Sequence, residues 1–369
     1  MGLTSTGQNL TALQKFKTNF WGVFCFGFII LIGLLALFAY FIAPDNTSNA
    51  NQMHLSIATK PPGFSINMLR LPTGNKAEAS LFEQFINGKE NEWDETPINS
   101  YRLTDDALYY SEYVADGFEG LEKSLPLSQF GVHTSKDIEK LFIINKRFIL
   151  GTDRYGRDLS SRLLVGSRIS FSIGFVSVFI ALIIGLIVGA TAGYFGGKAD
   201  SFAMWLINVT WSIPTLLLVI AITLALGKGF WQVFVAVGLT MWVEVARVVR
   251  GQVMSVREMQ YVTAARALGF SDYRILAKHI LPNIATPLIV ICAANFASAI
   301  LIESGLSFLG IGAQPPTPSW GSMIKDHYSY IVLGKPYLSI IPGLAIMSLV
   351  MAFMMIGNAI RDVFDVKSI

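Results

Sequence analysis

Charge disappears from this chain in long blocks. Residues 18–44, 169–197, 201–227, 280–302 and 336–360 contain no Asp, Glu, Lys or Arg, and a shorter block, 229–243, ends at Glu244. About 20 consecutive apolar residues cross a bilayer core as a helix, and in lipid the backbone must satisfy its own hydrogen bonds. Blocks of this length therefore point to spanning helices, and we read six, at about 20–43, 169–192, 203–226, 229–247, 286–310 and 338–360. Composition agrees: 14% of the 369 residues are charged, against about 25% in an average soluble domain. The first block is too long for a secretory signal core and no clear small-residue cleavage site follows it, so a retained anchor is expected.

Cations near span ends set orientation. With the N-terminus inside, the inner segments carry Lys15, Lys17, Lys198, six cations from Arg247 to Lys278, Arg361 and Lys367; the short outer loops carry Lys228, Lys325 and Lys335. Eleven against three favours both termini inside. Arg154, Arg157, Arg162 and Arg168 then lie outside, after a long loop on which the rule is weak. The expected fold class is an all-α polytopic membrane protein with six transmembrane helices, N-in and C-in, plus a small mixed α/β extracytoplasmic insert. Three parts follow: 1–43 with the first span, the insert at 44–150, and a five-helix core at 151–369 containing an inner loop at 248–285.

The insert has 15 acidic and 10 basic residues, and Lys76–Asn87 is its best helix candidate. His54 and His133 stand alone within it, and Cys25 and Cys292 fall inside predicted spans. No metal spacing, catalytic residue, Gly-x-Ser-x-Gly or His-Glu-x-x-His is present, nor any G-x-x-x-x-G-K-[ST] to cradle phosphate. Nothing points to nucleic acid. An intramembrane enzyme is disfavoured on these grounds, and six spans exceed what a receptor-like anchor needs.

The inner loop is the most patterned polar segment. Ser255-Val-Arg-Glu258 has the form of a capping box, and good helix formers run from there to Leu268. Gly269 can supply a left-handed stop. Ser271 can cap a second helix that must finish at about Leu281, ahead of Pro282, with Tyr273, Leu276, Ala277 and Ile280 on one stripe. Ala264, Ala265 and Ala267 let another surface come close. An amphipathic hairpin resting on lipid would favour Trp or Phe against Lys and Arg; this segment has little of that, so a protein partner fits better.

Thr263-Ala-Ala, Gly269 and Leu281-Pro282 at this spacing resemble the loop by which ABC importer permeases engage their ATP-hydrolysing subunits. That family usually begins the loop with Glu and has Ile three places before the proline; here stand Thr263 and His279. GTDRYGRDLSSRLLVGSRIS (151–170), TAGYFGGKAD (191–200) and ESGLSFLGIGAQPPTPSWG (303–321) are similar to segments of the C-type permease subunits of dipeptide/oligopeptide importers. The resemblance implies an inner-membrane permease that moves peptides, nickel chelates, glutathione or peptide antibiotics. It implies as partners a second homologous permease, two ABC ATPases, an extracytoplasmic solute-binding protein and membrane lipid. ATP and Mg would sit on the partner subunits, with no cofactor on this chain. The implied docking residues are Thr263, Ala264, Ala265, Leu268, Gly269, Asp272, Arg274, Leu281 and Pro282. Glu303, Asn295 and Asn208 are candidates for the translocation pathway, because polar groups in spans mark such paths. For Glu244 an Arg247 or Arg250 partner is expected, for Pro214 a kink, and for the PPTPSW loop (315–320) an extended course.

Overall fold

The computed structural model describes residues 12–73, 80–115, 118–130, 135–227 and 229–364. Lys76, His133, Lys228 and Lys367 lie outside these. The helices in chain order are α1 (Ala12–Thr18), α2 (Phe20–Leu37), α3 (Ala39–Ile42), α4 (Leu81–Asn87), α5 (Ser135–Phe142), α6 (Leu159–Phe195), α7 (Gly197–Trp211), α8 (Thr215–Leu226), α9 (Phe230–Arg257), α10 (Gln260–Ala267), α11 (Asp272–Ile275), α12 (Ala285–Phe308), α13 (Trp320–His327) and α14 (Tyr337–Phe364). Two compact units form: one from the chain up to Gly33, Ser170–Gln314 and the chain from Leu344, the other from Leu34–Ile169 and Pro315–Gly343. Among the described residues, five helices are long and apolar enough to cross a membrane, or six if the bent pair α7–α8 is one span.

In the helical unit, Phe171, Phe296 and Phe353 pack together, the last two stacked with centroids 3.8 Å apart. Gly185, Gly189 and Gly193 follow one another at four-residue spacing on α6, against Val245, Ala246, Val249 and Val253 of α9. A Cβ on Gly189 would stand 2.4 Å from the Ala246 carbonyl oxygen. This is the small-xxx-small close approach of membrane helices.

Several expected boundaries move, each for a local reason. The second span starts at Leu159, not 169, because Asp158 accepts from the Ser161 amide (2.9 Å) and opens the helix ten residues early. The first span breaks at Phe38. The third is two helices at 89°: Pro214 has no amide and pushes Ile213 out of helical geometry. The fourth runs to Arg257, so Ser255 lies inside α9 and no capping box forms there; α10 is entered from Met259. The Ser-x-x-Glu pattern caps only a chain not already helical, and the Val245–Val249–Val253 stripe carries α9 past it. The 315–320 loop turns at Pro315–Pro316, whose peptide is cis, before Ser319 caps α13; prolines fix φ but leave other torsions open. The helix expected at 76–87 is observed at Leu81–Asn87.

In the other unit, β1 (Phe64–Pro72), β2 (Trp93–Leu103), β3 (Ala107–Ala115), β4 (Phe118–Pro126) and β5 (Ile143–Phe148) form an antiparallel sheet ordered β4-β3-β2-β1-β5. Alternation divides its faces. Leu69, Ile98 and Leu108 pack with Phe130, Ile138 and Phe142, while Ile66, Met68 and Phe148 pack with Ile57. The four arginines that strained the orientation rule all have partners here. Arg157 and Arg162 share the buried Asp153 (2.6 and 3.6 Å), Arg154 pairs with Asp326 (3.1 Å), and Arg168 donates to the Ile86 carbonyl (3.1 Å).

Candidate functional site

The patterned segment folds as two short helices around a glycine. Val262 and Ala265 point inward from α10, while Thr263, Ala264 and Leu268 face out. Gly269 has φ +76° and closes a Schellman stop: its amide reaches the Arg266 carbonyl (3.0 Å) and the Phe270 amide the Ala265 carbonyl (3.1 Å). Ser271 sits at the N-cap of α11 with no side-chain cap bond. Asp272 instead accepts from the Tyr194 hydroxyl (2.6 Å), Arg257 donates to the Tyr194 carbonyl (2.8 Å), and Arg274 lies over the Phe270 ring at 4.2 Å. The turn is thus tied to α6 through Asp272, and α6 in turn to α9 through Arg257. Leu268 and Tyr273 are 74% and 82% exposed on this turn.

The second short helix does not end at Leu281. The chain stays helical from Asp272 to Phe308 through a π turn at Leu276–Ile280 and a 3-10 turn at Leu281–Ile284. The Leu281 amide bonds to the Leu276 carbonyl, five residues back. That widened turn takes up the missing proline amide without breaking the rod. It also shifts the inward stripe: Ile275, Ile280 and Ile284 are buried, while Tyr273 is outside. Leu281 is half-buried and Pro282 exposed. The docking candidates from Thr263 to Pro282 are therefore gathered on one turn joined to α12.

The pathway candidates separate. Asn295 and Glu303 are both buried on α12, and Glu303 accepts from Ser307 (2.6 Å). Asn208 is exposed on α7, where its carbonyl accepts from the Ser212 hydroxyl (2.7 Å). Glu244 departs from expectation. Arg250 makes a bidentate pair with Asp200, one bond at 2.6 Å, and Arg247 lies 3.5 Å over the Trp211 ring. Neither arginine reaches it, and the longer α9 puts Glu244 mid-helix rather than at an end. It lines a cavity of about 330 Å³ with Trp211 and Thr240. Sequence reading also missed the glycine stripe, which GLIVGATAG (185–193) spells out at i, i+4, i+8.

Residues 173–367 match the family described as binding-protein-dependent transport system inner membrane component. The chain belongs to that family. Residues 10–62 match the N-terminal transmembrane domain of oligopeptide transport permease C, so the C-type resemblance holds. The chain is 39% identical over 218 residues to the glutathione transport system permease protein GsiD of Pectobacterium atrosepticum, covering 59% of this chain and 72% of that one. It is 39% identical over 217 residues to the dipeptide transport system permease protein DppC of Alkalihalophilus pseudofirmus, covering 59% and 71%. Among solved structures, an inward-facing MetNI methionine ABC transporter chain aligns with TM-score 0.46 and 20% identity, over 55% of this chain and 95% of that one. The protein is a multi-pass inner-membrane permease subunit of a binding-protein-dependent ABC importer.

Proposed function

We propose that this permease moves di- and oligopeptides inward, paired with a second homologous permease and driven by two ABC ATPases that bind ATP and Mg. An extracytoplasmic solute-binding protein delivers the cargo. The observation that carries the reading is the Gly269 turn, with Leu268 and Tyr273 exposed on it, in a chain without a phosphate-cradling motif. The exposed turn and the lack of that motif support hydrolysis on another polypeptide. When the ATPases close on ATP they displace Thr263–Pro282. The rod from Asp272 to Phe308 and α9 then rock the passage between inward- and outward-open states. Ligand bias between two global states, not side-chain chemistry on this chain, drives the cycle.

Six spans with both termini inside follow if α7 and α8 count as one broken span. The cation bias supports that orientation, since the outer arginines are engaged by Asp153, Asp326 and the Ile86 carbonyl. Asn295 and Glu303, buried here, enter the pathway once α12 moves; Asn208 is exposed already. Peptide cargo is favoured by the similarity to a dipeptide permease, with glutathione, itself a peptide, next by similarity to GsiD. Nickel chelates and peptide antibiotics remain the other cargo of this transporter type. The test is uptake by proteoliposomes holding both permeases and both ATPases, fed by the binding protein. ATP-dependent accumulation of a labelled dipeptide is expected. Accumulation of a nickel chelate with no dipeptide would replace the cargo reading.

A further inference from the structure

The cavity at the α7–α8 break offers chemistry that the transport reading has not used. Its wall includes Thr210, Trp211, Thr240, Met241, Glu244 and Ser298, and all of it lies in the helical unit. Among the described residues no cation stands within ion-pair distance of Glu244. Of the two arginines nearest in sequence, Arg250 pairs with Asp200, and Arg247 stacks on the Trp211 ring of the cavity wall without forming an ion pair with the carboxylate. A carboxylate in the middle of a spanning helix is costly against lipid and persists where it meets water or a cation.

The neighbouring hydroxyls sharpen the choice. Thr210 donates to the Leu206 carbonyl (2.9 Å) and Thr240 to the Val237 carbonyl (2.8 Å). Each hydroxyl has thereby spent its only proton, and its oxygen can act only as an acceptor. The carboxylate and the two acceptor oxygens suit a cationic group with several N–H donors, while Thr215, Ser298 and the Trp211 indole are the groups on the same wall with a proton to donate. Met241, Leu218 and Ile302 supply apolar walls. A volume of about 330 Å³ is at the small end for ligand sites, enough for the head of a solute. Broken helices are also where transporters place their binding groups.

We propose that Glu244 and the cavity at the α7–α8 break form a subsite for a primary ammonium group, such as the free amino terminus of a peptide, on the passage through this subunit. The proposal rests on the peptide reading above.

The test uses the assembled importer in proteoliposomes with a dipeptide whose first residue carries a photoreactive diazirine. ATP-dependent uptake should fall roughly tenfold in Glu244→Gln, the scale of losing a charged hydrogen bond, and recover substantially in Glu244→Asp. Irradiation during turnover should attach the probe to wild type within residues 210–218 or 240–244, and Glu244→Gln should lose that attachment. Unchanged uptake in Glu244→Gln overturns the subsite, as does attachment elsewhere in both proteins. Failure of Glu244→Gln alone to assemble would assign the carboxylate to a subunit contact and also overturn it. If wild type imports no dipeptide, the cargo reading fails first and the subsite falls with it.

Discussion

His327 carries its proton on Nδ1, because the Met323 carbonyl it meets at 2.7 Å can only accept and the Arg154 amide that reaches Nε2 at 3.3 Å can only donate. A second proton would break the Arg154 bond. Burial pushes His327 below its ordinary 6.5, and burial followed by Lys146 does the same to His54. With folded values depressed, the unfolded state binds more protons below that value, so stability falls as pH drops below 6.5. The slope cannot exceed about 1.4 kcal/mol per pH unit for each histidine. Melting of the detergent-solubilised chain between pH 7 and pH 5, with and without His327→Gln, checks this; a flat profile would refute it. Residue partners of this kind were the least legible part of the sequence. Arg250 could have turned to Glu244 on its own helix, and the crossing of α7, which brings Asp200 to it, decided otherwise.

At the scale of elements, packing and torsion give opposite signs to similar substitutions. Gly→Ala inside a helix gains roughly 0.8–1 kcal/mol of propensity. Gly251 of α9 has nothing within 4 Å of its would-be Cβ, so Gly251→Ala should raise the melting temperature. Gly189 meets a backbone carbonyl at 2.4 Å, and overpacking of about 1–3 kcal/mol outweighs the gain, so Gly189→Ala should lower it. Equal shifts in the two variants would refute the close α6–α9 approach. Gly269 is a third case. Its surroundings are open, but φ is +76°, and a Cβ there costs about 1–2 kcal/mol. Gly269→Val should weaken ATPase co-purification, while Gly269→Asn, which tolerates left-handed geometry, should largely keep it. Equal recovery of both would show that docking does not need the left-handed stop at Gly269. The stop at Gly269 was legible because the left-handed requirement is local to one residue. The run through Pro282 was not, because a π turn depends on what Ile275, Ile280 and Ile284 bury against.

For the whole molecule, the bilayer makes the sequence readable. A fixed hydrocarbon thickness makes charge-free blocks legible as candidate spans, and the described residues place five long apolar helices and one bent helix pair where spans were expected. The sheet of the insert has no such ruler; its strands were read only as mixed structure because two faces with different covers blur alternation. Ser80 stands exposed ahead of α4. With Cys25 and Cys292 replaced, Ser80→Cys should react with an impermeant thiol reagent in intact cells. Labelling only after lysis would invert the proposed orientation.

The most direct test is a gentle-detergent pull-down of this permease from its own membrane, with mass spectrometry of what accompanies it. Recovery of a second multi-span permease together with P-loop ATPases is the predicted result. Recovery of the chain alone or only as a homo-oligomer, under conditions that hold a known importer together, would contradict an exposed Gly269 turn built for a motor on another polypeptide.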